Sequence, residues 1–314
     1  MTSPTQRQLT LAQVAAFAEE AFGLPVAQAA PLEGGTFAAV WKVGLVDGRE
    51  AVLKVGPLPG VPILIYERDM IRSEAEYFRL VAAKAPEVPV PRVLFNGDDW
   101  LFTSMLAGTP LSKLPEPEHA GVREQLGAAL ARVHTITGTF FGYPGDRPNA
   151  TDWPTAFAAM MEALLQDAVV WQVALPVSAQ RIRDVVAAAA PALGEVRTPV
   201  LVHFDLWDGN VLAHEGKLTG LVDGERYLYG DPLIDFVSPA IFRNLEDEPD
   251  HPFLRGYGEV ALYGLARQRL VLYRLYLDLL MHVEVPSRGI TDPRRIGFVA
   301  EHLVRQVEAL ERLS

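Results

Sequence analysis

The segment Leu201–Asn210, LVHFDLWDGN, constrains this chain more than any other. A strand-like piece, Pro199–Val202, runs into a loop that carries His203, Asp205 and Asn210 in the spacing H-x-D-L-x-x-x-N. Two short apolar runs follow, Asn210–His214 and Lys217–Val222, separated by the turn pair Glu215-Gly216. They end on Asp223, thirteen residues past Asn210. A chain with this pattern has to bring a post-strand loop and the end of a hairpin together. Asp205 is then placed to take the proton of a substrate hydroxyl or to orient that hydroxyl. Asn210 offers a neutral amide oxygen and Asp223 a charged one, the oxygen donors that hard magnesium ions on nucleotide phosphates prefer. His203 joins Asp205 as a candidate catalytic residue, in a role better suited to bracing the loop by hydrogen bonds than to exchanging protons. Asp208-Gly209 reads as a turn with no chemistry assigned. Glu225 is compatible with contact to metal or substrate and equally with a solvated loop acid.

The upstream half supplies what a nucleotide site also requires. Lys54 lies in the apolar run Val52–Val55, where an ammonium needs an anionic partner. Glu74 on the following helical segment is the natural one; Glu76 points elsewhere by helical spacing, and Glu67 sits too near the helix start. A surface lysine on an edge strand is the plain alternative. The stretch Glu33-Gly34-Gly35-Thr36-Phe37 precedes the first hairpin, and its two glycines let the backbone approach phosphates, although it is not a G-x-G-x-x-G loop. Thr103–Leu106, with Thr103 and Met105, forms the expected connector against which a purine would lie.

Around these positions the sequence predicts an α+β protein. Thr10–Ala21 has helical spacing and stops at Gly23. Phe37–Leu45 and Glu50–Val55 flank the turn pair Asp47-Gly48, a hairpin signal. Arg68–Lys84 repeats apolar residues every three or four positions, and strands Arg92–Phe95 and Trp100–Leu106 follow. This is a small sheet with one inserted helix. The Pro- and Gly-rich, aperiodic stretch 107–119 separates it from a strongly helical remainder, so residues 1–106 and 107–314 are the expected lobes. Helices are expected over Gly121–Thr135, Ala156–Ala168, Ser178–Leu193 and Asp292–Leu313.

Composition narrows the partners. With a net charge of −11 the chain lacks the basic face that nucleic acid demands. Most of the excess acid lies after residue 107, beside the candidate chemistry, which favours a cationic substrate slightly; solubility alone also accounts for it. There is no cysteine, so disulfides, thiolate catalysis and Cys-ligated metals are excluded. The apolar run Leu270–Val285 is interrupted by Arg274, Asp278 and Glu284, which argues against a membrane span, and the N-terminus has no secretory pattern. A cytoplasmic location is expected.

Taken together, these residues resemble the aminoglycoside phosphotransferase and choline kinase-like superfamily, small-molecule relatives of protein kinases, over about Leu32 to Pro239. The family's loop reads H-G-D-x-x-x-x-N, and Phe204 stands here in place of the glycine. Its metal segment reads I-D-F or I-D-W, against Val222-Asp223-Gly224-Glu225. The segment Gly230–Phe236 is similar to the family's G-D-P-x-x-D, whose two carboxylates, here Asp231 and Asp235, hold the loop. Leu206-Trp207 resembles the fructosamine kinases. The resemblance implies a bilobal kinase-like fold, ATP or GTP with Mg2+, and phosphorylation of a hydroxyl on a small molecule, possible acceptors being an antibiotic or a metabolite such as choline, homoserine or a glycated amine. A binding protein that keeps the shape without the activity is the alternative. Phe204, not an arginine, stands immediately before Asp205, and no A-P-E segment follows Asp223, against a protein substrate. The helices after Pro239 and the loop Gly138–Trp153 are the expected acceptor pocket.

Overall fold

The structure, a computed structural model, describes residues 3–32 and 34–313. Helix α1 (Leu11–Phe22) starts at a capping box, in which Thr10 accepts from the Gln13 amide and Gln13 reaches back, and stops at Gly23 in the left-handed region. It is followed by strands β1 (Val26–Pro31), β2 (Ala39–Leu45) and β3 (Glu50–Val55), helix α2 (Met70–Lys84), and strands β4 (Val93–Asn96) and β5 (Trp100–Ser104). The five strands form one antiparallel sheet in the order β1-β2-β3-β5-β4. Alternation along β5 divides its side chains between two cores. Trp100 and Phe102 pack with Val14 and Ala18 of α1, whereas Leu101 packs with Ile71 and Phe78 of α2. The sheet is thus covered by one helix on each face.

The rest is mostly helical: α3 (Glu116–Val133), α4 (Trp153–Val170), α5 (Ala179–Ala188), α6 (Ala190–Leu193), α7 (Pro252–Tyr257), α8 (Leu265–Val283) and α9 (Pro293–Leu313). Between them run short strands β6 (Thr109–Pro110), β7 (Phe141–Gly142), β8 (Asn149–Ala150), β9 (Val200–Val202), β10 (Val211–His214), β11 (Lys217–Leu221) and β12 (Leu228–Gly230). The expected hairpin around Glu215-Gly216 is β10–β11, with His214 opposite Lys217. Helix α8 is buried along most of its length, and its charges find partners. Arg274 is bidentate with Glu246 at 2.6 and 3.0 Å, and Asp278 lies 3.7 Å from His302. Among the described residues no helix is long and apolar enough to cross a membrane.

Two local expectations differ from the structure, and one strand has no bounds in the sequence pattern. Strand β1 has no clear alternation in VAQAAP because it is a sheet edge whose side chains are mostly exposed. Helix α3 begins at Glu116 rather than Gly121, since a proline in the first turn is no obstacle. The single helix expected over Ser178–Leu193 is two, α5 and α6, divided at Ala189 just ahead of Pro191, which begins the second.

Candidate active site

Lys54 belongs to β3, an interior strand paired with Val40 on one side and Leu101 on the other, so it is not an edge lysine. It is buried, and its Nζ donates to Glu74 Oε1 at 2.5 Å and to Asp223 Oδ1. Glu74 faces it from α2 because that helix packs tightly on the turn after Asp223. A Cβ on Gly224 would stand 2.4 Å from the Tyr77 ring. That explains the glycine where the resembling family has an aromatic residue. The rival acids have other partners: Glu76 accepts from the Tyr227 hydroxyl at 2.8 Å, and Glu67 pairs with Arg288. Burial opposes the Lys54 charge, but Asp223, Glu74 and Glu225 overcome it and hold its pKa well above the usual value.

Glu74, Asp223 and Glu225 can each offer an oxygen within 4.8 Å of the others. Glu225 is 4.0 Å from the Lys54 ammonium, its side chain is only 17% exposed, and its Oε2 is buried without a hydrogen-bond partner. It is not a solvated acid. Burial pushes its pKa up to about 8 against the pull of Lys54. Asp223 itself is held below the usual carboxylate range, because Lys54 outweighs burial. This all-oxygen donor set, carrying more negative than positive charge, fits a hard divalent cation. Asn210 lies beside it, with its amide donating to the Asp205 carbonyl at 2.8 Å.

The loop that carries Asp205 is held from below by one carboxylate. Asp235, fully buried, accepts the backbone N–H of His203 at 2.9 Å and of Phe204 at 2.6 Å, and lies 3.0 Å from His134 Nε2. Phe204 sits at φ 67°, the left-handed region in which glycine is free and phenylalanine is strained. Its ring is buried 5.4 Å from that of Tyr276. Packing there replaces conformational freedom. His203 is buried; its Nε2 lies 3.0 Å from the Val222 carbonyl and its Nδ1 accepts the Asp205 N–H at 3.3 Å. It ties the two loops together, and burial depresses its pKa despite Asp235. Asp208 does more than turn the chain, since Arg123 of α3 grips it at 2.6 Å.

Three features of the site carry no sequence signal. Arg226, on the turn after Asp223, stands 3.7 Å from Asp205 and 3.3 Å from Glu284, with its guanidinium over the Tyr66 ring. Burial raises the Asp205 pKa against the attraction of Arg226 and His203. Glu284 caps α8 and lies 3.5 Å from Arg288, which in turn grips Glu67. Gln6 spans the glycine stretch from outside, donating to the carbonyls of Gly35 and Ala38 at 3.0 and 2.8 Å. Apart from Glu284–Arg288, one helical turn apart, these contacts join residues tens or hundreds of positions away in the sequence.

The remaining nucleotide-side candidates lie at the edge. Gly34, Gly35 and Thr36 are exposed, with Gly34 at φ 117°, and Glu33 of the same stretch lies outside the described residues. Thr103 is buried within β5, and Met105 follows it, 38% exposed. The expected acceptor elements contribute unevenly. Arg147, from the loop Gly138–Trp153, is buried and bonds to Ser73 and the Tyr66 carbonyl, while Glu284 and Arg288 come from the end of α8 and just past it. The segment before α2, with Tyr66 and Glu67, reaches over to them and was not anticipated.

Comparison with known proteins decides the family. Residues 28–270 match the family described as the phosphotransferase enzyme family. The chain belongs to it. Among solved structures, the chain is similar to a provisionally designated fructosamine-3-kinase from Thermobifida fusca YX-ER1, with 24% identity and a TM-score of 0.71, covering 94% of this chain and 100% of that one. It is also similar to a thermostable mutant of aminoglycoside phosphotransferase APH(4)-Ia in a ternary complex with ADP and hygromycin B, with 20% identity and a TM-score of 0.65, covering 94% and 98%. ADP-bound APH(2'')-Ib gives 16% identity and a TM-score of 0.61, covering 95% and 98%. No curated protein sequence matches significantly. The fold of this phosphotransferase is therefore the bilobal, protein-kinase-like α+β fold.

Proposed function

We propose that this phosphotransferase is a nucleotide- and magnesium-dependent O-phosphotransferase that phosphorylates a hydroxyl of a small molecule. The observation that carries the reading is the convergence of Lys54, Glu74 and Asp223 on one point, with the Asp205 loop tied to Asp223 through His203. Residues 1–106 form the nucleotide lobe and residues 107–314 the acceptor lobe. ATP or GTP lies between them, along Gly34, Gly35 and Thr36 and against the Thr103–Met105 connector.

Asn210 and Asp223 hold the magnesium, with Glu225 close enough to contribute. A metal bound there would supply charge neutralisation for the phosphates. With Asp223 engaged by a cation, Lys54, oriented by Glu74, would be free to meet the phosphates. Asp205 receives the acceptor's hydroxyl proton as the new oxygen–phosphorus bond forms and the bond to the nucleotide's bridging oxygen breaks. His203, buried and held neutral, fixes the geometry of both loops. Catalysis is positioning plus charge stabilisation.

The acceptor is a hydroxylated small molecule, an antibiotic in the leading reading and a metabolite in the second. The ADP and hygromycin B bound to APH(4)-Ia support the first, and the fructosamine-3-kinase likeness supports the second. Thermal melting tests the site without knowledge of the acceptor. ATP or GTP should raise the melting temperature only when magnesium is present, and Asp223→Ala should abolish that rise. A shift that is independent of magnesium, or that survives Asp223→Ala, contradicts the reading.

A further inference from the structure

We propose that Arg226 is a catalytic residue whose guanidinium binds the phosphoryl group as it passes from nucleotide to acceptor. The inference rests on the phosphotransferase reading above. Phosphoryl transfer spreads negative charge over the transferring oxygens, and a cation beside them stabilises the transition state. The loop between Asp205 and Asn210 brings none: its residues are Leu206, Trp207, Asp208 and Gly209. Arg123 is engaged with Asp208, and Lys54 stands with Glu74 and Asp223, on the nucleotide side of the transfer rather than beside Asp205.

Arg226 fills the gap by its place in the fold. It ends the turn Gly224–Arg226 that begins just after Asp223, and it reaches to 3.7 Å from Asp205. One short, tightly packed turn therefore carries a metal ligand at its start and a cation touching the base at its end. The phosphoryl group has to travel between those two points.

The hydrogen bonding of Arg226 points the same way. A guanidinium has five N–H donors, yet among the described residues this one makes a single hydrogen bond, to Glu284 at 3.3 Å. Its contact with Asp205 is too long to be another, and its Nε is buried with no acceptor at all. Leaving donors unmet is costly, and phosphoryl oxygens arriving beside Asp205 would meet those of Nη1, which faces it. A role limited to anchoring Asp205 would predict a short bidentate pair, which is not what the geometry shows. Arg226 stays protonated throughout: the hydroxyl proton goes to Asp205, and the electron pair of the broken bond leaves with the nucleotide diphosphate.

The test compares ground-state and transition-state ligands in wild type, Arg226→Met and Arg226→Lys. Affinity for magnesium with ADP or GDP is measured by calorimetry with and without fluoroaluminate, which mimics the phosphoryl group in transit. In Arg226→Met, diphosphate affinity should stay within about twofold while the fluoroaluminate complex weakens by roughly tenfold or more, with Arg226→Lys between. Unchanged fluoroaluminate binding in Arg226→Met overturns the proposal. So does an equal loss for both ligands, which would mark a structural role, or a wild type that gains nothing from fluoroaluminate. If wild type binds no nucleotide with magnesium, the phosphotransferase reading itself fails first.

Discussion

The two sides of the site use the same materials, buried carboxylates and buried cations, in different arrangements. On the proposed nucleotide side one ammonium, Lys54, faces three carboxylates, Glu74, Asp223 and Glu225. On the other side charges alternate in a line: Asp205, Arg226, Glu284, Arg288, Glu67. The first cluster carries an excess of negative charge that a divalent cation would balance. The second is nearly neutral by itself and joins the segment before α2 to the end of α8. The first is poised for a cation, and the second presents Asp205 and Arg226 at one end and holds the wall beside them at the other. They respond to substitution differently.

The largest effect on stability is expected in the line of alternating charges. Arg288 is buried, and its guanidinium lies over the Phe37 ring. Arg288→Met leaves the buried Glu67 without its cation and Glu284 with Arg226 alone, and should cost about 3–5 kcal/mol in denaturant unfolding. Adding Glu67→Leu should recover much of that. A single variant as stable as wild type would show that the line is not a structural unit. On the nucleotide side, Lys54→Ala should lower turnover by about 10²–10³, the usual cost of losing one electrostatic group from such a site. Magnesium should protect this variant against unfolding more than it protects wild type, because three carboxylates are left uncompensated. Equal protection would contradict the charge imbalance.

Phe204→Gly tests the support beneath both sides. It relieves a left-handed residue, a gain of about 1 kcal/mol, and empties a packed position, a loss of about 3–5 kcal/mol. Net destabilisation of about 2–4 kcal/mol is expected in denaturant titrations; a gain in stability would mean that the Phe204 packing contributes little. The smallest effect concerns Asp167, which accepts the Ile65 N–H at 2.9 Å and so ties the segment before α2 to α4. Burial, opposed by that hydrogen bond, raises its pKa from 3.8 to about 6. A raised carboxyl pKa means that the folded state holds the proton more tightly than the unfolded chain. Its contribution is therefore full below pH 3.8 and is lost as pH rises to about 6. Asp167→Asn should be more stable than wild type at pH 7 by about 2 kcal/mol or less, with the gap closing toward pH 4. A gap independent of pH would refute this titration.

How legible each side was follows from how it is encoded. Lys54, Glu74, Asp205, Asn210 and Asp223 sit in short segments where residue type and spacing reflect local structure, and the sheet with its inserted helix follows from turn pairs and periodicity. Arg226 sits three residues from Asp223 in the sequence, yet nothing local marks it, because its partner Glu284 lies 58 residues further on. Glu67 and Arg288 are 221 residues apart, and either alone reads as an ordinary surface charge. Phe204 was visible as a departure from the family pattern, but its cause, the ring of Tyr276, belongs to a helix far down the chain. Strand β1 has no bounds legible in the sequence for a simpler reason: an exposed edge has little hydrophobic pattern to display.

The central claim is that Asp205 and Asp223 serve one phosphoryl transfer to a small hydroxylated acceptor. Its most direct test is magnesium-dependent release of ADP or GDP across a panel of aminoglycosides, hydroxylated amines, amino acids and glycated amines, with wild type and Asp205→Ala run side by side. At least one compound should stimulate release by wild type, and Asp205→Ala should lose roughly 10²–10⁴ of that rate while melting normally. Stimulated release that persists undiminished in Asp205→Ala would contradict the account.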